Sequence, residues 1–263
     1  ESESRGLGDV YKRQILMGLN LKVKMSNYPN TKIHNTLPKI LKHRADTIPN
    51  TVALRDKDLG IWNEITWKQY NDNVSYLALG LAKRGFKAGD VLGLIGDNKP
   101  SWIFFELAAQ AAGGMSLGVY RDTLDEEVGY LMDAAKVSFV YAEDQEQVDK
   151  ILTIKRPKNN PINIFYDDSR GLKELNDPNI TDMLDLINEG KVLTSKDPEK
   201  YNKMIDKVSG EQNAILCTTS GTTSNPKLAM LPGGKFVDHV IRYLNVDPKT
   251  AVSYTHLTLP TTD

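Results

Sequence analysis

The sequence predicts an α/β protein built on a parallel sheet with helices on both faces. Three short segments, residues 91–95, 115–120 and 137–141, are apolar along almost their whole length, as strands buried on both sides are. Segments with helical periodicity separate them, and this alternation is typical of parallel strands joined by crossover helices. We therefore expect these three strands to pair in parallel within one sheet.

The region before this alternation predicts a short helix and a hairpin. The helix candidate is residues 36–44, where apolar side chains recur on one face. Two strand candidates, residues 52–55 and 61–66, flank a turn at residues 58–60.

Two helix starts are predicted from capping boxes, in which a Ser or Thr and a Glu or Gln three residues later satisfy free backbone N–H groups. Thr66 and Gln69 predict one start, and Thr123 and Glu126 predict the other. In the second helix we expect Leu124 to face the core with the apolar residues that follow it.

Other elements complete the pattern along the chain. We expect a buried helix over residues 97–112, a helix over residues 144–152, a strand over residues 163–166 and an amphipathic helix over residues 236–244.

The stretch from residue 167 to residue 210 is polar and is expected to lie on the outside. It predicts two modest helices, near residues 183–188 and 198–208. Its acidic residues Asp182, Asp185 and Glu189 have the spacing of a solvated helix face. A metal site there would need convergent partners that the sequence does not contain.

Composition and charge exclude several classes of function. The chain has 263 residues and a net charge of −1, so neither nucleic acid nor an anionic membrane is an expected partner. Its one cysteine, Cys217, cannot form an internal disulfide, which fits a reducing compartment such as the cytoplasm. We expect Cys217 to act as a small buried hydrophobe rather than as a nucleophile.

The two ends differ in character from the rest of the chain. Residues 1–14 and 251–263 resemble translated sequencing-adapter reads, and we exclude them from the fold prediction. Residues 15–23 are apolar but too short and too interrupted for a membrane span. The expected natural part is therefore residues 15–250.

Residues 215–231 contain the strongest functional pattern. Their ends are apolar and predict strands, and the loop between them carries hydroxyl side chains, a glycine and the pair Pro226-Lys227. Hydroxyl groups, backbone N–H groups and a lysine are groups that hold phosphate oxygens. A Ser/Thr-rich surface turn is the alternative, but it needs only two or three such residues. The candidate phosphate-binding residues are Thr219, Ser220, Gly221, Thr222, Thr223, Ser224 and Lys227.

Two familiar nucleotide-binding patterns do not fit. The usual P-loop has glycine before its lysine and Ser or Thr after it, whereas here Pro226 precedes Lys227 and Leu228 follows. Gly93 and Gly96 fail the dinucleotide-binding pattern G-x-G-x-x-G. The loop is therefore expected to join two strands, without a helix start to bind the phosphate.

The loop resembles the signature loop of the AMP-forming adenylate-forming enzymes, which include acyl-CoA synthetases. That pattern runs Thr-Ser-Gly-Thr-Thr-Gly-x-Pro-Lys-Gly, and residues 219–223 and 226–227 match it in order. Ser224 and Leu228 stand where the pattern has glycine. If the backbone at position 224 has positive φ, serine costs about 1 kcal/mol there.

The resemblance extends to a subgroup of that superfamily. Residues 96–102, 112–122 and 141–144 resemble segments of long-chain fatty-acid CoA ligases. The similarity covers roughly residues 37–248, which implies the front half of the large N-terminal domain of an acyl-CoA synthetase.

Such enzymes work in two steps. A fatty carboxylate attacks the α-phosphate of Mg-ATP to give acyl-adenylate and pyrophosphate, and the thiol of coenzyme A then displaces AMP. The resemblance thus implies a long-chain fatty acid, ATP and coenzyme A as substrates and Mg²⁺ as the metal. Because the substrate is a fatty acid, we also expect peripheral contact with a membrane.

The resemblance also implies a role for each loop residue. Gly221 would let the backbone approach the phosphates. Lys227 is the expected catalytic residue, because it would supply positive charge to the pyrophosphate. Thr219 is expected to lie nearest to Mg²⁺. The hydroxyls expected to hydrogen-bond the β- and γ-phosphates are those of Thr219, Ser220, Thr222 and Thr223.

Several parts of the family pattern are missing from this sequence, including the aromatic-Gly-x-Thr-Glu segment and the C-terminal lysine. We therefore expect an N-terminal fragment that is inactive alone. Two alternatives remain open. One is another adenylating ligase, such as a peptide-synthetase adenylation module or a short-chain ligase. The other is a non-catalytic nucleotide-binding domain.

Overall fold

In the computed structural model, which describes residues 30–155, 161–219 and 226–246, helices and strands alternate along most of the chain. The adapter-like ends and the apolar residues 15–23 lie outside the described residues. The helices are α1 (Leu37–Thr47), α2 (Trp67–Lys83), α3 (Pro100–Ala111), α4 (Asp125–Ala134), α5 (Gln145–Leu152), α6 (Met183–Lys196), α7 (Lys200–Asp206) and α8 (Gly233–Val246). The strands are β1 (Val52–Asp58), β2 (Ile61–Thr66), β3 (Val91–Gly96), β4 (Met115–Tyr120), β5 (Phe139–Ala142), β6 (Asn163–Tyr166), β7 (Ile180–Asp182), β8 (Asn213–Thr219) and β9 (Lys227–Pro232).

Seven strands form the main sheet, in the order β7-β6-β5-β3-β4-β8-β9. All neighbouring pairs are parallel except β8 and β9, which are antiparallel. The three strands expected to pair in parallel are β3, β4 and β5, so that prediction is confirmed. The hairpin of β1 and β2 forms a separate two-stranded sheet.

Apolar side chains leave both faces of this sheet and enter two separate cores. On β3, Leu92 and Leu94 pack in the core that also contains side chains of α2, α3 and α6. Val91 and Ile95 alternate with them and pack in the second core with side chains of α4 and α5. Because successive side chains of a strand point to opposite faces, helices cover both sides, as predicted.

The first predicted capping box is present at the start of α2. The Thr66 hydroxyl accepts a hydrogen bond from the Gln69 N–H at 3.3 Å, and the Gln69 side chain accepts one from the Thr66 N–H at 2.8 Å. Both bonds satisfy backbone donors that the helix itself leaves free.

The second predicted capping box is wrong. Helix α4 begins one residue later than the pattern indicated, with Leu124 at the N-cap and no side-chain cap bond. Leu124 is 76% exposed, so it does not face the core. The first turn instead carries Asp125, Glu126 and Glu127, whose charges interact favourably with the positive end of the helix dipole.

The expectation that residues 167–210 lie on the outside is also wrong in part. Helix α6 is longer than predicted and packs along α2, with Leu186 and Ile187 buried in the core. Its Glu189 faces the end of α2, where the carboxylate pairs with Arg84 at 2.6 Å and with Lys83 at 3.1 Å. The stretch is polar in overall composition, but α6 carries one apolar stripe that packs in the core. The short edge strand β7 was not predicted.

Two glycines allow this close approach of α2 and α6. A Cβ added at Gly190 would lie 2.0 Å from the backbone oxygen of Tyr76, and one added at Gly80 would lie 2.6 Å from the oxygen of Leu186. Backbone atoms cannot move aside as a flexible side chain can.

We predict that Gly190→Ala separates α2 from α6 and lowers the free energy of unfolding by about 1–3 kcal/mol or more, as overpacking does. The matched control is Gly129→Ala in α4, where the nearest atom would be 4.0 Å away. That variant should gain about 0.5–1 kcal/mol from helix propensity. Urea unfolding of both variants tests this, and equal stabilities would contradict the assigned packing.

Candidate functional site

The strands that flank the hydroxyl-rich loop form an antiparallel hairpin. Thr219 ends β8, Lys227 begins β9, and the two residues are direct partners in the register. The Thr219 hydroxyl donates a hydrogen bond to the Lys227 carbonyl oxygen at 3.3 Å. Both residues are exposed. The loop candidates that lie outside the described residues are Ser220, Gly221, Thr222, Thr223 and Ser224.

Contacts on the α4 side hold the second end of the loop. The Tyr130 hydroxyl of α4 donates a hydrogen bond to the Pro226 carbonyl at 3.3 Å. Leu228, which departs from the family pattern, is partly buried against the core on the α4 and α5 side. Leucine at this position therefore adds apolar packing that a glycine could not.

Parallel pairing brings the carboxyl ends of β3, β4, β5, β6 and β8 to one edge of the sheet. Glu143, which follows β5, is only 4% exposed there. Its carboxylate accepts a hydrogen bond from the Asp97 N–H at 2.5 Å and pairs with the Lys99 ammonium at 2.6 Å. Gly96 provides the space, since a Cβ there would lie 2.5 Å from the Glu143 Cβ.

An arginine continues this network toward the end of β4. The Arg121 guanidinium pairs with Asp97 at 2.6 Å, and Lys150 of α5 donates a hydrogen bond to the Arg121 carbonyl. Asp97 raises the already high pKa of Arg121. The Glu143 and Arg121 contacts were not foreseen from the sequence, because their partners lie on different strands. The signal available was a charged residue directly after each buried strand.

A cavity of about 510 Å³ opens at this edge, between α3 and the carboxyl halves of β4 and β8. Its lining includes Asp97, Arg121, Thr218, Trp102 and the buried Ser116. The chain leaves β3 toward β4 on one face of the sheet and leaves β4 toward β5 on the other, which makes the crevice between β3 and β4 a topological switch point. Ligands of open α/β sheets bind in such crevices.

Two titratable groups of this cavity are perturbed. Burial raises the pKa of Glu106 to about 7, although Ser116 opposes the shift by donating a hydrogen bond at 3.4 Å. Burial and the nearby Glu106 raise the pKa of the Cys217 thiol. Cys217 is half-buried, which is less than expected for a small core hydrophobe.

We predict that Glu106→Gln becomes more stable relative to the unmodified chain as the pH rises from about 4.5 to 7. The folded-state pKa of about 7 exceeds the ordinary 4.5, so ionisation of Glu106 weakens the fold over that interval. The relative gain should reach about 1–3 kcal/mol. Chemical unfolding at pH 4 and pH 8 measures it, with exposed Glu211→Gln as the control. A pH-independent difference would show that Glu106 is not perturbed.

The described residues contain no cluster of three or more His, Cys, Asp or Glu side chains that could hold a metal ion. No helix in the described ranges is long and apolar enough to cross a bilayer.

Comparison with solved structures identifies the fold. A luciferase-like enzyme from the mealworm Zophobas morio matches with a TM-score of 0.66 and 15% identity, over 82% of this chain and 47% of that one. The anthranilate CoA ligase AuaEII, in complex with anthranoyl-AMP, matches with a TM-score of 0.62 and 18% identity, over 80% of this chain and 36% of that one. The fold is that of the N-terminal domain of adenylate-forming ligases.

Sequence comparison gives the family. The sequence model of the AMP-binding enzyme family matches residues 41–260, and the chain belongs to that family. Curated relatives include the rat long-chain-fatty-acid–CoA ligases ACSBG2, 27% identical over 203 residues, and ACSBG1, 28% identical over 203 residues. These matches cover 77% and 76% of this chain but only 30% and 27% of the relatives.

Proposed function

We propose that this chain supplies the nucleotide-phosphate site of an acyl-CoA ligase that activates a long-chain fatty acid with ATP and transfers the acyl group to coenzyme A. The observation that carries the proposal is the pairing of Thr219 with Lys227. The two residues are direct partners in the hairpin register, so a hydroxyl-bearing and an ammonium-bearing residue stand at the two ends of the signature loop. Membership of the AMP-binding family supports it.

In this proposal Lys227 is the catalytic residue, and its only role is to stabilise negative charge. Pyrophosphate leaves with negative charge on its oxygens, and a lysine held near them stabilises that charge as it develops. The exposed side chain of Lys227 is accessible for this contact. Hydroxyls of Ser220, Thr222 and Thr223 would add hydrogen bonds, while Gly221 lets the backbone approach the phosphates.

Mg²⁺ would bind at the carboxyl edge of the sheet together with the phosphates of the nucleotide. Mg²⁺ usually keeps several waters and takes one or two protein ligands plus phosphate oxygens, so it needs no preformed cage. Thr219 is exposed and would contribute its hydroxyl oxygen, whose hydrogen is directed at the Lys227 carbonyl. When bound, the ion neutralises phosphate charge.

The names of the curated relatives support the long-chain acyl substrate and coenzyme A. The reducing-compartment argument from Cys217 supports a cytoplasmic location. Another adenylating ligase, which is the first alternative, would use the same phosphate chemistry as a long-chain acyl-CoA ligase but would have a different acyl pocket. A non-catalytic nucleotide-binding domain would bind ATP without pyrophosphate exchange.

We predict that Lys227→Ala, made in the longer protein that carries this segment, slows acyl-adenylate formation by about 10- to 100-fold. A charged hydrogen bond contributes roughly 1.5–3 kcal/mol, and pyrophosphate is present only in the first step. The measurement is ATP–pyrophosphate exchange with palmitate, with thioester formation from preformed palmitoyl-AMP as the second readout. Thioester formation should change little.

The matched control is Lys235→Ala, which removes an exposed lysine eight residues further along, in the first turn of α8. It should leave exchange unchanged. Wild-type exchange in Lys227→Ala would refute the catalytic assignment, and absence of exchange in the unmodified protein would favour the non-catalytic alternative.

We predict that the 263-residue chain alone does not turn over ATP. It spans about 30% of the length of its curated relatives, and phosphate contacts at a solvated edge are weakened by water and salt. Nucleotide affinity should be millimolar or weaker, as an order of magnitude. The assay adds ATP, Mg²⁺, palmitate and coenzyme A and measures AMP and palmitoyl-CoA. Steady turnover above the enzyme-free control would contradict the prediction.

A further inference from the structure

The tip of the β1–β2 hairpin exposes a group of large apolar side chains that the phosphate site does not use. Leu59 is 95% exposed, Ile61 is 68% exposed and Trp62 is 57% exposed. Ile61 and Trp62 are successive residues of β2 and point to opposite faces, so the tip is apolar on both sides of the hairpin. Single exposed apolar residues are common, but three within four residues of one turn indicate a contact surface.

The backbone of the turn makes the leucine at the tip unusual. Leu59 has a φ of +47° and Gly60 has a φ of +84°. Two-residue hairpin turns with positive φ favour Asn, Asp or Gly, because a larger side chain strains the left-handed conformation. The hairpin therefore carries an apolar side chain at its outermost position against the local backbone preference.

The base of the hairpin is held firmly, so the tip projects from a rigid support. Leu54 is buried in the core, and the Trp67 N–H donates a hydrogen bond to the Thr51 carbonyl at 3.1 Å. Arg55 and Glu64 form an ion pair across the two strands at 3.0 Å.

The polar groups near the tip indicate which surface it suits. The Lys57 ammonium lies 5.6 Å from the centre of the Trp62 ring, and both side chains combine an apolar body with a polar end. Residues 55–64 contain two basic and three acidic residues, so an anionic surface is not favoured. Zwitterionic headgroups carry both signs of charge and complement this mixture.

We propose that Leu59, Ile61 and Trp62 insert into the interfacial region of a zwitterionic lipid bilayer. Three side chains on a narrow tip present far less than the roughly 800 Å² that each partner of a standard protein interface buries. Interfacial insertion needs no complementary surface, only apolar burial. The proposal goes beyond the ligase function, and its test uses neither ATP nor fatty acid, so either can fail alone.

The first experiment is co-sedimentation of the 263-residue chain with phosphatidylcholine vesicles. Leu59→Asn and the pair Ile61→Ser with Trp62→Ser should each lower vesicle binding at least about tenfold, since apolar burial drives it. The matched control is Leu184→Ser on α6, which removes a side chain that is 62% exposed and should change binding less than twofold.

Leu59→Asn separates lipid binding from stability. Asparagine tolerates positive φ, so the melting temperature should stay level or rise while vesicle binding falls. A merely structural role for Leu59 would lower the melting temperature. Vesicle binding that survives all tip variants, or no binding by the unmodified chain, overturns the proposal.

Fluorescence locates the contact. The chain has three tryptophans, so Trp67→Phe with Trp102→Phe leaves Trp62 as the single emitter. Its emission should shift to shorter wavelength on vesicles and be quenched by brominated phosphatidylcholine. The Trp62→Phe variant should show neither effect. Self-association in lipid-free buffer that the tip variants abolish would instead show a protein contact and refute the lipid assignment.

Discussion

The parallel pairing of β8 with β4 is the constraint on which the candidate site depends. It is made at Ser116 with Ile215 and at Leu117 with Leu216. Leu117 and Leu216 are buried together on the α4 and α5 side of the sheet. A slip of β8 by one residue would turn its apolar side chains to the wrong face of the sheet, so burial fixes the register. That register places Thr219 at the edge where β3, β4 and β5 also end.

The charged side chains at that edge form one connected network, which includes the backbone N–H of Asp97. Glu143 is almost fully buried, and removal of Lys99 would leave an uncompensated carboxylate, which costs far more than loss of an exposed pair such as Arg55 with Glu64. Through Asp97 the same network reaches Arg121. The ends of three strands are thereby tied together beside the proposed phosphate site.

The cavity beneath this edge suits a polar group better than an alkyl chain. Glu106 and Ser116 line it, and a long hydrocarbon would keep water from both polar groups, whose mutual hydrogen bond is long at 3.4 Å. We propose the lipid contact instead at the tip of the β1–β2 hairpin, where Leu59 is held in a conformation that leucine disfavours. Phosphate chemistry and lipid contact are therefore assigned to different parts of the fold.

Local chemistry was enough for the sequence alone to determine the parallel α/β class, the positions of β3, β4 and β5, the cap at Thr66 and the two strands that flank the hydroxyl-rich loop. Hydrophobic periodicity, capping and motif spacing are properties of neighbouring residues and need no knowledge of the fold. Only the tertiary structure decided that α6 packs on α2 at Gly190, that Leu124 is exposed, and that Glu143 meets Lys99. Each of these depends on atoms distant in sequence, because packing and burial are set by which surfaces meet after the chain has folded.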